Sequence, residues 1–403
     1  MSASLDVLIA GAGPAGAAAA LRLARAGLRV VAVDRARFPR DKICSEYMSP
    51  EGVRHLAALG VLARVEAAGG HPIRGTMVEA PRGSRLTGLF ARAGTAPFRA
   101  TGLSVPRKVL DHALVEAARE AGATVLEGTT VQSVLREDGG VVGLSVRSES
   151  GSGTELRARL TIGADGLHSL LARSIGGRRF GPLRRYAFVA HADGVPGLTD
   201  TAEMHVAADG YVGINPLGGG LANVALVVPR ERAALARGRP EAFFLEQLER
   251  FPGVRGRVRA GAIVREVLVT GPFAAWSRRV VAAGALLTGD AADFFDPFTG
   301  EGICAALRGS ELLEGVVRDA LARPGSPSAA ALAPYARARR RAFLGKWAVE
   351  RVIGYAMLAP GLFDRAVGRM ERRGLAHTLI GVTGDFVPPR AVLNPVFLSQ
   401  VVF

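Results

Sequence analysis

Gly11-Ala12-Gly13-Pro14-Ala15-Gly16 has the spacing G-x-G-x-x-G. Between a strand and a helix, the first glycine of such a pattern permits a tight turn. The second lets the backbone approach a pyrophosphate, and the third lets helix and strand pack closely. Free N–H groups and the positive dipole end of the helix then face the phosphates, with Pro14 and Ala15 in its first turn. Asp34 closes the next apolar run and is placed to accept hydrogen bonds from ribose hydroxyls, with Arg35 beside it. These residues imply dinucleotide binding, without deciding which dinucleotide.

Stepping outward, the surrounding elements suit that role. The apolar run Leu5 to Ala10 reads as a buried parallel strand, Pro14 to Ala26 as an alanine-rich helix ended by Gly27, and Leu28 to Val33 as a second strand. A helix is expected over Asp111 to Ala121. Strands are expected over Thr124–Leu126, Val131–Leu135, Val141–Val146, Arg159–Ile162 and Val280–Leu287, with a helix from Gly302. From Tyr186 to Val228, short β-rich runs alternate with Gly/Pro turns, which implies a separate antiparallel sheet. Pro324 to Pro327 reads as a linker, and the chain from Ala329 reads as mostly helical.

Two further segments narrow the chemistry. Gly163-Ala164-Asp165-Gly166 with Ser169 resembles the "DG" motif of FAD-dependent monooxygenases of the p-hydroxybenzoate hydroxylase superfamily. Gly289-Asp290 with Asp296-Pro297-Phe298-Thr299-Gly300-Glu301-Gly302 resembles their "GD" motif, and Arg107 the arginine before their L-D-x-x-L helix. Phe38-Pro39-Arg40-Asp41-Lys42-Ile43-Cys44 with Ser49-Pro50 is similar to a loop of the geranylgeranyl-reductase-like branch. The resemblance implies an α/β two-domain flavoprotein. Its expected FAD-binding domain is discontinuous, over residues 1–75, 101–182 and 275–325. The substrate domain takes 76–100 and 183–274, and a helical region 326–403.

By the same resemblance, Gly289 and Asp290 bind the ribityl or nearby hydroxyls of FAD, since a carboxylate accepts several O–H donors. Pro297, Gly300, Gly302 and Ile303 lie against the isoalloxazine ring, where a helix N-terminus faces flavin N1 and C2=O. Asp165 sits behind the pyrophosphate, Arg107 contacts the phosphates or the flavin edge, and Cys44 belongs to the flavin loop. Glu46, Tyr47, His205 and Asn215 are candidates for the substrate pocket. Tyr211 and His191 are candidates to take a phenolic proton. The sequence departs from the family pattern in three places. Ala172 stands where the DG motif usually has arginine, with Arg173 one later. Ser45 follows the loop cysteine in place of glycine. Tyr211 to Pro216 lacks the tryptophan and phenylalanine of the lipid-reducing signature.

On this reading the chain is a single-component, NAD(P)H-dependent FAD monooxygenase. It would hydroxylate a hydrophobic aromatic or polyketide-type molecule with O2, through a flavin C4a-hydroperoxide in a dry pocket. The alternative is a flavin-dependent reductase or dehydrogenase of isoprenoid or lipid double bonds. A halogenase is disfavoured, because two tryptophans, Trp276 and Trp347, cannot form its W-x-W-x-I-P motif.

Composition sets the remaining bounds. Two cysteines, Cys44 and Cys304, exclude a disulfide framework and a cysteine metal site, so no metal is expected and a cytoplasmic setting is the default. A net charge of +15 invites a nucleic-acid partner, but no recognition motif is present and the glycine motifs commit the core to a dinucleotide. Ten basic residues fall between Ala329 and Gly374 against Glu350, Asp364 and Glu371. Apolar residues interleave there at helical spacing. That stretch is either a helical lid with a solvated arginine face or a peripheral membrane contact.

Overall fold

The computed structural model describes residues 5–402. Leu5–Ala10 lies in the middle of an eight-stranded sheet, parallel to Val30–Val33 on one side and to Gly153–Gly163 on the other. Thr124–Leu126 and Ala285–Leu287 extend the parallel part outward. The helix Pro14–Arg25 makes the crossover between the first two strands. Gly27 adopts φ +81°, and Leu28 N–H bonds back to Leu23 C=O. This helix-ending turn consumes Leu28, so the second strand starts at Val30 rather than Leu28. The helix after Pro106 spans Arg107–Glu120, a turn earlier than its sequence pattern implies. The expected strand Val280–Leu287 is a hairpin, Val281–Ala282 and Ala285–Leu287, because Gly284 turns the chain at φ +68°.

The second sheet has seven strands, with Gly75–Glu79 and Arg85–Leu89 beside Arg185–Ala192, Thr201–Ala207, Gly210–Gly218, Leu221–Pro229 and Ile263–Thr270. Strand alternation divides its side chains between two cores. Phe188, Val212, Ile214 and Leu226 pack on the helix Pro240–Leu248. Ala187, Val189, Tyr211 and Val227 face the other way, towards Val349, Met357 and Phe363. Two small three-stranded sheets sit where the chain passes between the domains.

The C-terminal helices Ala329–Ala356, Pro360–Arg372 and Ala376–Thr383 have no core of their own. Leu332 and Tyr335 are buried in the first domain's core, and Phe363, Val367 and Ile380 are buried on the second. Two of the tail's basic residues are internal. Arg339 pairs with Asp293 and lies over the rings of Phe343 and Trp347, while Lys346 is buried near Glu301. Among the described residues, no helix is long and apolar enough to cross a membrane.

Candidate active site

The glycine fingerprint is sterically required. A Cβ at Gly16 would stand 1.8 Å from Gly11 O, and one at Gly11 would stand 2.5 Å from Ala164 O. The turn therefore packs directly against the Gly163–Gly166 segment. Asp34 braces it: Oδ2 accepts from Ala12 N–H at 2.8 Å and Oδ1 from Ala36 N–H at 2.9 Å. Each oxygen retains a lone pair for a ribose hydroxyl.

Beside Gly13 lie two guanidinium groups, those of Arg107 and Arg40, each 3.7 Å from where a Cβ would be. Both are held by the fully buried Asp111. Arg107 donates to it through Nε at 2.7 Å and Nη2 at 2.8 Å, and Arg40 Nη1 lies 2.8 Å from its Oδ2. Lys42 reaches into the same cleft with its tip open to water. Desolvation by the walls, then Arg107, Arg40 and Arg35, push its ammonium below the usual lysine range. So many cations crowd together that the cleft suits an anion. Asp165 contributes a buried Oδ1 with no hydrogen-bond partner, while its Oδ2 accepts from Leu170 N–H at 2.7 Å. Burial raises its carboxyl above the usual range. These features fit a dinucleotide pyrophosphate and its hydroxyls.

Gly289 touches the other side of the fingerprint helix, since a Cβ there would lie 2.8 Å from Ala15 Cβ. Asp290 follows in a short turn. Burial raises its carboxyl, while Arg107, Lys42, Arg178 and Arg339 pull it down. Arg178 ties this turn to the Asp165 segment, donating to Asp290 O at 2.8 Å, Ala291 O at 2.9 Å and Leu167 O at 2.9 Å. Arg173, which follows the usual arginine position of the DG motif, is exposed and donates only to His168 O.

Asp296 then caps the turn Pro297–Thr299, accepting from Phe298 N–H at 3.0 Å. Tyr211 donates its hydroxyl to the same carboxylate at 2.6 Å, and Arg185 donates at 2.8 Å. Gly300 has φ +70°, and a Cβ on it would stand 2.7 Å from the ring of Tyr47. The 20-residue helix Gly302–Leu321 begins here, with Ile303 in its first turn and no side-chain cap on its free N–H groups. Glu301, buried at its N-terminus, accepts from Ser49 Oγ at 3.1 Å, and burial lifts its carboxyl to about 7 against the pull of Lys346.

The polar pocket candidates are mostly committed elsewhere. Glu46 has φ +59° and is fully buried. Its carboxylate accepts from Arg107 N–H at 2.9 Å and Asn223 Nδ2 at 3.0 Å, and lies 2.6 Å from His191 Nε2. Asn215 donates to Ser45 O and Ser104 Oγ. This network fastens the loop after Cys44 to the sheet. Burial raises the Cys44 thiol, despite the nearby Arg107. His205 does not belong to the cleft. It pairs with Glu203 and Glu79 on the opposite face of the sheet, because strand alternation turns it away from its neighbour Met204.

What faces the Pro297–Thr299 turn is apolar. Met204, Gly213, Ala225 and Val189 form one cross-strand row. Tyr211 meets the Phe298 ring edge-on at 5.2 Å. Gly213 and Ala225 add little bulk to the row, the Met204 sulfur packs over Gly213 (3.2 Å from where its Cβ would be), and Ile43, Leu167 and Phe386 are half-buried members of the same apolar cluster.

A dinucleotide-binding domain coupled to an apolar-faced sheet defines a two-domain flavoprotein oxidoreductase. Residues 4–341 match the family described as FAD binding domain, and the chain belongs to that family. The chain is 32% identical over 319 residues to menaquinone reductase of Mycolicibacterium smegmatis, covering 75% of this chain and 74% of the relative. It is 32% identical over 359 residues to digeranylgeranylglycerophospholipid reductase of Methanospirillum hungatei, covering 87% and 84%. The structure of the myxobacterial chondrochloren halogenase shares the fold, with a TM-score of 0.80 at 23% identity over 99% of this chain and 95% of that one. The chain is thus an FAD-dependent oxidoreductase of the geranylgeranyl-reductase-like type. These relatives are named reductases, which fits the alternative of a reductase better than the expected hydroxylation.

Proposed function

We propose that the chain is a flavin-dependent reductase of carbon–carbon double bonds in an isoprenoid chain, with NAD(P)H as reductant. The carrying observation is the apolar row Met204, Gly213, Ala225 and Val189 opposite the Pro297–Thr299 turn. A phenol hydroxylase profits from a base that takes the phenolic proton. Here His191 and Glu46 are spent on each other, and the Tyr211 hydroxyl is spent on Asp296. An isoprenoid alkene needs no such base, and it binds through dispersion and apolar burial alone. The curated relatives, named reductases, support the same reading.

Bound FAD, once reduced, would supply a hydride to one alkene carbon, and a proton taken up from solvent after that transfer would complete the C–H bond at the other. The chain's residues prepare the site. Arg107 and Arg40, fixed by Asp111, neutralise the pyrophosphate, and Asp34 and Asp290 accept from its ribose and ribityl hydroxyls. The free N–H groups at Gly302 and Ile303 stabilise negative charge at the flavin N1 edge. Tyr211 and Arg185 clamp Asp296 and so fix the Pro297–Thr299 turn beneath the substrate. The sheet and Phe298 exclude water, which protects the hydride from solvent. The test supplies reduced enzyme with a polyprenyl quinone without oxygen; a product gaining two hydrogens per double bond supports the reading.

A further inference from the structure

A cavity of about 330 Å³ opens at the edge of the seven-stranded sheet, among Leu183, Arg184, Arg230, Met357 and Leu358. Its floor includes Tyr211 and Arg185. Both are bonded to Asp296, so the cavity ends directly behind the Pro297–Thr299 turn.

The rim combines two properties that water does not favour together. Leu358 is 57% exposed, Tyr355 47% and Trp276 38%, with Phe180 beside them. These side chains form one surface. The Arg184 guanidinium lies 5.8 Å from the Phe180 ring, and Gly181 between them packs on Trp276. Gly354 packs on Leu183, and Tyr355 lies 6.5 Å from Phe295, whose ring Arg351 covers at 5.0 Å. Arg179, Arg184, Arg230, Arg278 and Arg351 make no ion pair among the described residues. The nearby acids are Glu231, Asp209 and Glu350; Asp209 is already held by Arg232 and Arg250, and Glu350 is half-buried between Lys346 and Arg351.

We infer that this rim docks on an anionic lipid surface. Unpaired arginines meet the headgroups, Trp276 and Tyr355 take the polar–apolar boundary, and Leu358 enters the acyl region. The docked pose places the cavity mouth against the bilayer. The surface draws on four separate stretches of chain (residues 179–184, 230, 276–278 and 351–358), so the basic C-terminal segment supplies only part of it. This goes beyond the reaction assigned above, and its test needs no turnover.

The FAD-loaded protein is floated with vesicles of phosphatidylglycerol and, separately, of phosphatidylcholine. Binding to the first at low salt, weakened by salt and absent from the second, is expected. The double variant Arg184→Glu/Arg351→Glu should bind roughly tenfold more weakly or worse. Leu358→Ser, which changes no charge, should bind several-fold more weakly. Arg25→Glu, on the first domain's outer helix, should bind as the parent does. Circular dichroism melts verify that each variant is folded. Absence of binding to anionic vesicles overturns the proposal. So does equal weakening by Arg25→Glu, which would indicate overall charge rather than this rim.

Discussion

The carboxylate of Glu46 and the imidazole of His191 lie 2.6 Å apart, both buried, joining the loop after Cys44 to the strand Arg185–Ala192 of the second sheet. Asn223 and the backbone N–H of Arg107 bond to the same carboxylate. One side chain thus ties the cofactor domain to the substrate sheet.

Glu46→Ala should therefore act on stability before it acts on chemistry. It leaves His191 and the Arg107 N–H without their partner and Asn223 with Cys44 O alone, at a cost on the order of 3 kcal/mol. Glu46→Gln, which keeps one acceptor, should cost less. Denaturant unfolding of the two variants checks this ordering, and equal stability of Glu46→Ala and the parent contradicts it.

Asp290→Ala removes the carboxylate that faces the cation-rich cleft. FAD affinity should fall by roughly tenfold to a hundredfold, the loss of one charge-assisted hydrogen bond or more. Titration of apoprotein followed by flavin fluorescence measures it. Unchanged affinity removes Asp290 from the cofactor site.

Burial lifts Glu301 from 4.5 to about 7. Between those values the folded chain holds that proton and the unfolded chain does not, so stability falls as pH rises through the window. Glu301→Gln deletes this contribution. The variant's stability relative to the parent should climb from about pH 4.5 to about pH 7 and then level off, by at most about 3 kcal/mol. Denaturant midpoints across that range provide the measurement, and a pH-independent difference refutes the assignment.

Ala225→Phe places a bulky ring in the apolar row, next to Gly213 on the neighbouring strand. Turnover of a long isoprenoid should drop sharply while FAD remains bound, because the ring occupies the substrate's space. Equal loss of flavin and activity would instead mean a folding defect.

The backbone-driven features were legible in the sequence. Gly11, Gly16, Gly289 and Gly300 mark places where a Cβ has no room or φ is positive, and local spacing reveals such places. The substrate face was not. His205 and Met204 are adjacent in sequence yet face opposite sides of the sheet, and strand parity had to be known to separate them. His191 read as a base because its partner Glu46 is 145 residues distant. Arg40, Arg178 and Arg185 were hidden by abundance. In an arginine-rich chain, only the fold distinguishes the few that grip Asp111, the Asp290 turn and Asp296 from those in solvent.

The most direct measurement is a single-turnover reaction of the reduced enzyme with a polyprenyl quinone, run once without oxygen and once under isotopically labelled O2, with products read by mass spectrometry. Double-bond reduction predicts a product that, after re-oxidation of any quinol to the quinone, still carries two added hydrogens per saturated bond, forms equally well without oxygen and carries no label. A product that appears only with oxygen and carries the label would contradict the account and restore hydroxylation.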